Sequence, residues 1–282
     1  MPPRAIPDVD AIPASARLVI LGAPLDENSS FLKGPAQGPA ALRAALHSGS
    51  ANLCTEAGLD LGSSAEWHDA GNLRLTTGDA ALEEIRGAIG ALLEQRRRVL
   101  TIGGDHSISW PILRAFADHH RQLTVLHIDA HADLYDDFEG NPRSHASPFA
   151  RVMESCRGVR LVQVGIRTLT PHQRAQARRF GVDIVEMRDW REGMDLRLEG
   201  PLYVSLDMDA LDPAFAPGVS HHEPGGFTVR EVLGILRRLP GPVVGADIVE
   251  LNPTRDSHGR TAMVAAKFLK ELAGVLLAAP PT

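Results

Sequence analysis

Six side chains of the types that hold divalent ions fall in three short runs of this sequence. Asp129, His131 and Asp133 alternate with alanines in DAHAD, Asp207 and Asp209 flank Met208 in SLDMDALD, and His106 follows two glycines and Asp105 in GGDHS. Each run ends an apolar stretch, at 99–102, 125–128 and 202–206. Such stretches read as buried strands of a parallel sheet, and open α/β sheets take their ligands at the carboxyl ends of strands. Alternate residues of an extended segment share a face, so Asp129, His131 and Asp133 could converge at the strand's end. A single Asp there would be an ordinary helix cap, and a single His an ordinary structural or surface residue. Three metal-grade groups at period two, with a second pair at 207 and 209, point instead to metal. Two imidazoles and four carboxylates exceed one ion and suit two ions that share carboxylates. Ligation rich in oxygen and free of thiolate points away from structural zinc and toward Mn2+, with Mg2+, Fe2+, Co2+ or Ni2+ as alternatives. Two such ions, about 3.5–4 Å apart, lower the pKa of a water between them and aim it at an electrophilic carbon, so hydrolysis is the expected chemistry.

The elements that must position these groups alternate along the chain. Strands are expected at 17–23, near Trp67, and at 99–102, 123–129, 160–165, 183–187, 202–206 and 243–249. Helices are expected at 39–46, 79–97, 108–119, 148–154, 171–180, 229–239 and 261–277. Strict alternation argues a single three-layer αβα domain over 17–282 with a mostly parallel sheet, preceded by an irregular, proline-rich leader at 1–16. Residues 48–77 have no steady period beyond the short strand near Trp67.

Composition bounds the function. With 282 residues, 44% apolar and 23% charged, the chain can bury a sizeable core. A net charge of −6 without a long basic run leaves no nucleic-acid footprint. Cys54 and Cys156 form no metal or redox motif, which fits a reducing compartment. Prolines and acids interrupt the first 13 residues where a secretory signal needs an apolar run, and no stretch is long enough to span a bilayer. The expected setting is the cytoplasm, without membrane contact.

GGDHS at 103–107, DAHAD at 129–133 and SLDMDALDPAFAPG at 205–218 resemble the three signature segments of the ureohydrolases, the arginase and agmatinase family. The likeness runs from about residue 18 to 272. NSSFLKGP at 28–35, DDFEGNPRSHASPFARVME at 136–154, VSHHEPGGF at 219–227 and VGADIVELNPTRD at 244–256 are similar to plant-type arginases in particular. The resemblance implies an arginase-like fold and two manganese ions, with nickel, cobalt or iron as substitutes. One ion would be held by His106, Asp129, Asp133 and Asp207, the other by His131, Asp129, Asp207 and Asp209. It implies attack of a bridging hydroxide on a guanidinium carbon to release urea and an amine, with Asp133 relaying a proton and His145 shuttling protons to solvent and touching the substrate. It also implies a homotrimer or homohexamer.

Glu250 matches the family's guanidinium-binding glutamate, and it has independent support. It ends the apolar strand VVGADIV, at the same edge of the sheet, where a carboxylate can accept two charge-assisted hydrogen bonds from a planar guanidinium. Asp247, within that strand, reads as structural. His221, His222 and Glu223 could wall the substrate or simply form a loop. The loop LYDDFEGNPRS departs from animal arginases: Asn141 and Arg143 would suit a carboxylate, Asp136, Asp137 and Glu139 a cation. L-Arginine is the favoured substrate, with agmatine, guanidino acids and guanidine as alternatives. Two readings come from other classes, a mononuclear deacetylase-like amidohydrolase and a non-catalytic homologue; the full set of six ligands speaks against both.

Overall fold

The computed structural model describes residues 12–279. Most of the expected leader, residues 1–11, lies outside the described residues; 12–16 form neither helix nor strand, and Ile12 and Ala16 are buried. Eight strands follow: β1 (Leu18–Ala23), β2 (Trp67–Asn72), β3 (Arg98–Gly103), β4 (Leu123–Ile128), β5 (Val159–Ile166), β6 (Asp183–Glu186), β7 (Leu202–Asp207) and β8 (Val243–Val249). They form one sheet in the order β2-β1-β3-β8-β7-β4-β5-β6. Every pairing is parallel, so the sheet is wholly rather than mostly so.

The inner strands are buried along their whole length, which is why they read as unbroken apolar runs. The helices are α1 (Gly38–Leu46), α2 (Gly78–Glu94), α3 (Ser109–His119), α4 (Pro148–Ser155), α5 (Pro171–Phe180), α6 (Val229–Arg237) and α7 (Arg260–Ala278). Leu42 of α1, Leu233 of α6 and Phe268 of α7 pack in one cluster on one face of the sheet. Ile85 of α2, Phe116 of α3 and Phe149 of α4 pack in another on the opposite face. That gives the three-layer α/β architecture. Helix α2 stops at Glu94, earlier than its periodicity implies, because Arg96 turns to φ 58.

The crossover from β3 to β4 leaves room for two strands, and β7 and β8 fill it. Four strands remote in sequence, β3, β8, β7 and β4, thereby become consecutive neighbours, and their carboxyl ends form one edge. Residues 106, 250, 207 and 129 follow or end those four strands.

Candidate metal centre and substrate cavity

His106 is placed by a close crossing of two chain segments. A side chain on Gly104 would put its Cβ 1.8 Å from the Leu25 carbonyl oxygen, so only glycine fits. The Asp105 carboxylate then accepts the Ser107 N–H at 3.0 Å and starts the short turn that carries His106.

At the ends of β4 and β7 a carboxylate folds back on the backbone. Asp129 Oδ1 accepts the His131 N–H at 2.6 Å, and Asp207 Oδ1 accepts the Asp209 N–H at 2.7 Å. The expected period-two strand ending does not persist through 133: β4 stops at Ile128, and Asp133 takes φ 51. Continued extension at ~3.3 Å per residue would leave Asp129 and Asp133 about 13 Å apart. The turn, not the strand, brings them together.

His106 Nδ1 lies 3.2 Å from Asp129 Oδ2 and 3.1 Å from both Asp133 Oδ2 and Asp207 Oδ2, yet it is buried and makes no hydrogen bond. Its tautomer follows from its other nitrogen. Ser205 donates its one hydroxyl proton to Asp247 Oδ1 at 2.7 Å, so Ser205 Oγ, 3.0 Å from His106 Nε2, accepts the ring N–H. In the neutral ring Nδ1 then carries the lone pair, beside three carboxylate oxygens, a donor set suited to a cation. His131 Nδ1 lies 3.1 Å from Asp209 Oδ2 and 3.5 Å from Asp129 Oδ1, a second such set that shares Asp129 with the first.

The electrostatics agree with that reading. Burial opposes charge on His106, but the surrounding aspartates raise its pKa well above the ordinary value, and the same holds for His131 with Asp209 and Asp129. Burial and the neighbouring carboxylates push Asp207 well up; Asp209, raised chiefly by burial, reaches about 6. Without metal, the cluster holds protons in place of other positive charge.

His145 and Glu250 stand beside it. His145 Nδ1 and Glu250 Oε1 are 2.7 Å apart, and the same oxygen accepts the His106 N–H at 2.9 Å. Glu250 Oε2 is buried without a partner, so one oxygen, not two, is open to a guanidinium. Ser30 meets His145 Nε2 through its N–H at 3.1 Å and its hydroxyl at 2.8 Å. Burial disfavours the charged ring, but Glu250, Asp105 and Asp133 raise the His145 pKa to about 9.

These groups line a cavity of about 320 Å3 whose walls include Asp133, His145, Asp207, Asp209, His131 and Glu250, with Ser30, Tyr135, Phe138, Thr168, Thr170, Gln173, His221 and Glu223. His221 sits 5.2 Å from the His145 ring. His222 is exposed and bonds the Pro217 carbonyl instead. Two loop residues find partners within the protein. Asn141 is not on the cavity wall, since its side chain engages Asn28 and the Arg143 N–H. Arg143 bonds Asp79 at 2.9 Å and stacks 4.4 Å over Trp110.

Sequence reading missed the groups behind the ligands. His127 Nε2 lies 2.6 Å from Asp129 Oδ2, while Gln163 Nε2 holds the opposite ring nitrogen at 2.9 Å and the Ala132 carbonyl at 2.7 Å. Asp247, read as structural, gathers the hydroxyls of Tyr203, Ser205 and Ser109 and so braces His106. A histidine inside the otherwise apolar run VLHI was the available signal.

Fold and cavity together define a three-layer α/β protein with donor sets for metal ions at the carboxyl edge of its sheet. The chain belongs to the arginase family, whose family model matches residues 16–274. It is 47% identical over 277 residues to Arginase 1, mitochondrial, of Arabidopsis thaliana, covering 92% of this chain and 81% of that one. It is 34% identical over 269 residues to an agmatinase of Bacillus anthracis, covering 91% of each. The solved arginase from Medicago truncatula superposes with a TM-score of 0.85 at 41% identity, covering 93% of this chain and 88% of that one. The Arabidopsis relative, named as mitochondrial, overturns the cytoplasmic expectation. That expectation rested on missing secretory and membrane signals, which do not separate the cytosol from an organelle. No helix among the described residues is long and apolar enough to cross a membrane.

Proposed function

We propose that this protein hydrolyses L-arginine to L-ornithine and urea with two divalent ions, Mn2+ in each. The observation that carries the reading is the buried, unpartnered Glu250 Oε2 on the cavity wall beside the His106 and Asp129 cluster; the likeness to plant arginases over nearly the whole chain supports arginine as the substrate. His106, Asp129, Asp133 and Asp207 would hold one ion and His131, Asp129, Asp207 and Asp209 the other. When bound, the pair supplies an activated water.

The chain's own groups do the rest. Glu250 Oε2 accepts a guanidinium N–H and points the central carbon at the cluster. Asp133 takes a proton from the attacking water and gives it to the departing amine. His145, held on Glu250, supplies and recovers the remaining proton. The water's oxygen stays in urea and its hydrogens leave on the ammonium. Residues 17–282 act as one catalytic unit, assembled as a homotrimer or homohexamer.

Agmatine is the second reading, favoured by one observation: among the described residues no lysine or arginine lines the cavity to meet an α-carboxylate. Thr168, Thr170 and Gln173 offer it only neutral donors. Urea release from Mn2+-loaded protein with L-arginine, agmatine, 4-guanidinobutyrate, homoarginine and guanidine decides. The highest kcat/KM is expected for L-arginine; a preference for agmatine selects the second reading, and no urea from any of them overturns both.

A further inference from the structure

His145 has no ring nitrogen free to face the cavity. Nδ1 is held by Glu250 and Nε2 by Ser30, and the ring itself is buried. A ring so enclosed cannot trade protons with solvent unless a neighbour carries them. Ser30 is exposed and lines the cavity, and its hydroxyl is 2.8 Å from Nε2.

We propose that Ser30 is the positioning residue through which His145 exchanges its proton with the cavity and with solvent. The proposal rests on the role given above to His145. Ser30 suits both states of the ring. Toward neutral His145, its backbone N–H, at 3.1 Å, donates to the Nε2 lone pair; toward the cation, its hydroxyl oxygen accepts the Nε2 N–H. The transfer balances: the Ser30 O–H bond breaks toward an acceptor in the cavity as the Nε2 proton forms a new one, so the ring loses one proton and the acceptor gains one. Reversal from solvent restores the ring.

Although exposed, Ser30 is held in register. The Asn28 N–H donates to Asp105 Oδ2 at 3.0 Å, Asn28 Nδ2 to Ser107 Oγ at 3.1 Å, and the Asn28 carbonyl accepts the His145 N–H at 3.1 Å. The segment that carries the hydroxyl is thus tied both to the turn of His106 and to the backbone of His145. Holding a donor in place before reaction is what makes such a contact count in catalysis.

The test uses Ser30→Ala, Ser30→Thr, His145→Asn and the Ser30→Ala/His145→Asn pair in the full-length, Mn2+-loaded protein, with metal content and thermal midpoint measured beside kcat and KM. Ser30→Ala is expected to lower kcat about tenfold, part of the contribution usual for proton transfer. KM and metal content should stay within about twofold, threonine should keep the rate, and added imidazole should restore it by carrying the proton. In the His145→Asn background the serine substitution should have no further effect. A parental kcat in Ser30→Ala, a loss that imidazole does not relieve, or an undiminished loss in the His145→Asn background would overturn the proposal. Full activity of His145→Asn itself would instead remove the reading of His145, and this one with it.

Discussion

Glu250 is held in a backbone conformation that its type disfavours. Its φ of 62 lies in the left-handed region, which costs a non-glycine residue on the order of 1–2 kcal/mol. Asp133, also facing the cavity, shares it with φ 51. Both carboxylates are thereby turned inward at the edge of the sheet. For Glu250→Gln, which keeps shape and loses charge, urea release should fall at least about 100-fold, roughly 3 kcal/mol of transition-state stabilisation, with two metals still bound. Metal analysis beside a urea assay checks it, and near-parental turnover would remove the guanidinium role. Ser205→Ala should behave oppositely. Without the acceptor that fixes the His106 tautomer, metal affinity should weaken by about 10–100-fold, as loss of an outer partner commonly does, while activity returns at saturating Mn2+. Calorimetric titration reads that difference directly.

The same asymmetry between near and remote partners explains which elements could be read from the sequence. Strand ends at 106, 129, 207 and 250 were legible because each follows an apolar run of four to seven residues, and such runs need no distant information. The bend at Asp129 was not, because it depends on a carboxylate choosing the His131 N–H over solvent. Nor was the fate of Arg143, whose partner Asp79 lies on a different element and competes with any substrate carboxylate for the guanidinium. His127 was hidden for a third reason: within an apolar run it passes for a core residue until Gln163 on the neighbouring strand is seen beside it. Residues 48–77 gave little signal because β2 is an edge strand with every position at least partly open to solvent. At this scale Gly104→Ala is the informative change. The Cβ meets the Leu25 backbone, which cannot step aside as a flexible side chain could. A loss of about 1–3 kcal/mol in denaturant unfolding is expected, together with weaker metal binding because His106 follows two residues later. Unchanged stability would show that the crossing at Leu25 yields to an added methyl group and does not fix His106.

Taken whole, the molecule places four buried aspartates and two histidines at the meeting point of its four central strands, and among the described residues no lysine or arginine lies on that cavity's wall. Such a concentration of acid is self-repelling, and the protein's own response is to raise the pKa of Asp207 and Asp209 through burial and to charge His106 and His131. A metal ion requires the same groups with their protons removed, so binding must release protons and affinity must rise with pH. Because the slope of affinity against pH counts the protons released, the change should be steepest on the acid side of about 6, where Asp209 still holds its proton, and lessen above it. Mn2+ titrations between pH 5.5 and 8.5, in buffers of different ionisation enthalpy, should show tighter binding and smaller proton release toward the alkaline end. Metal at 100 times its dissociation constant should stabilise the fold by about 2.7 kcal/mol per site, several degrees in the thermal midpoint, and chelation should reverse this. An affinity independent of pH would mean that the cluster does not hold those protons, and the account of why these carboxylates tolerate one another would fall with it.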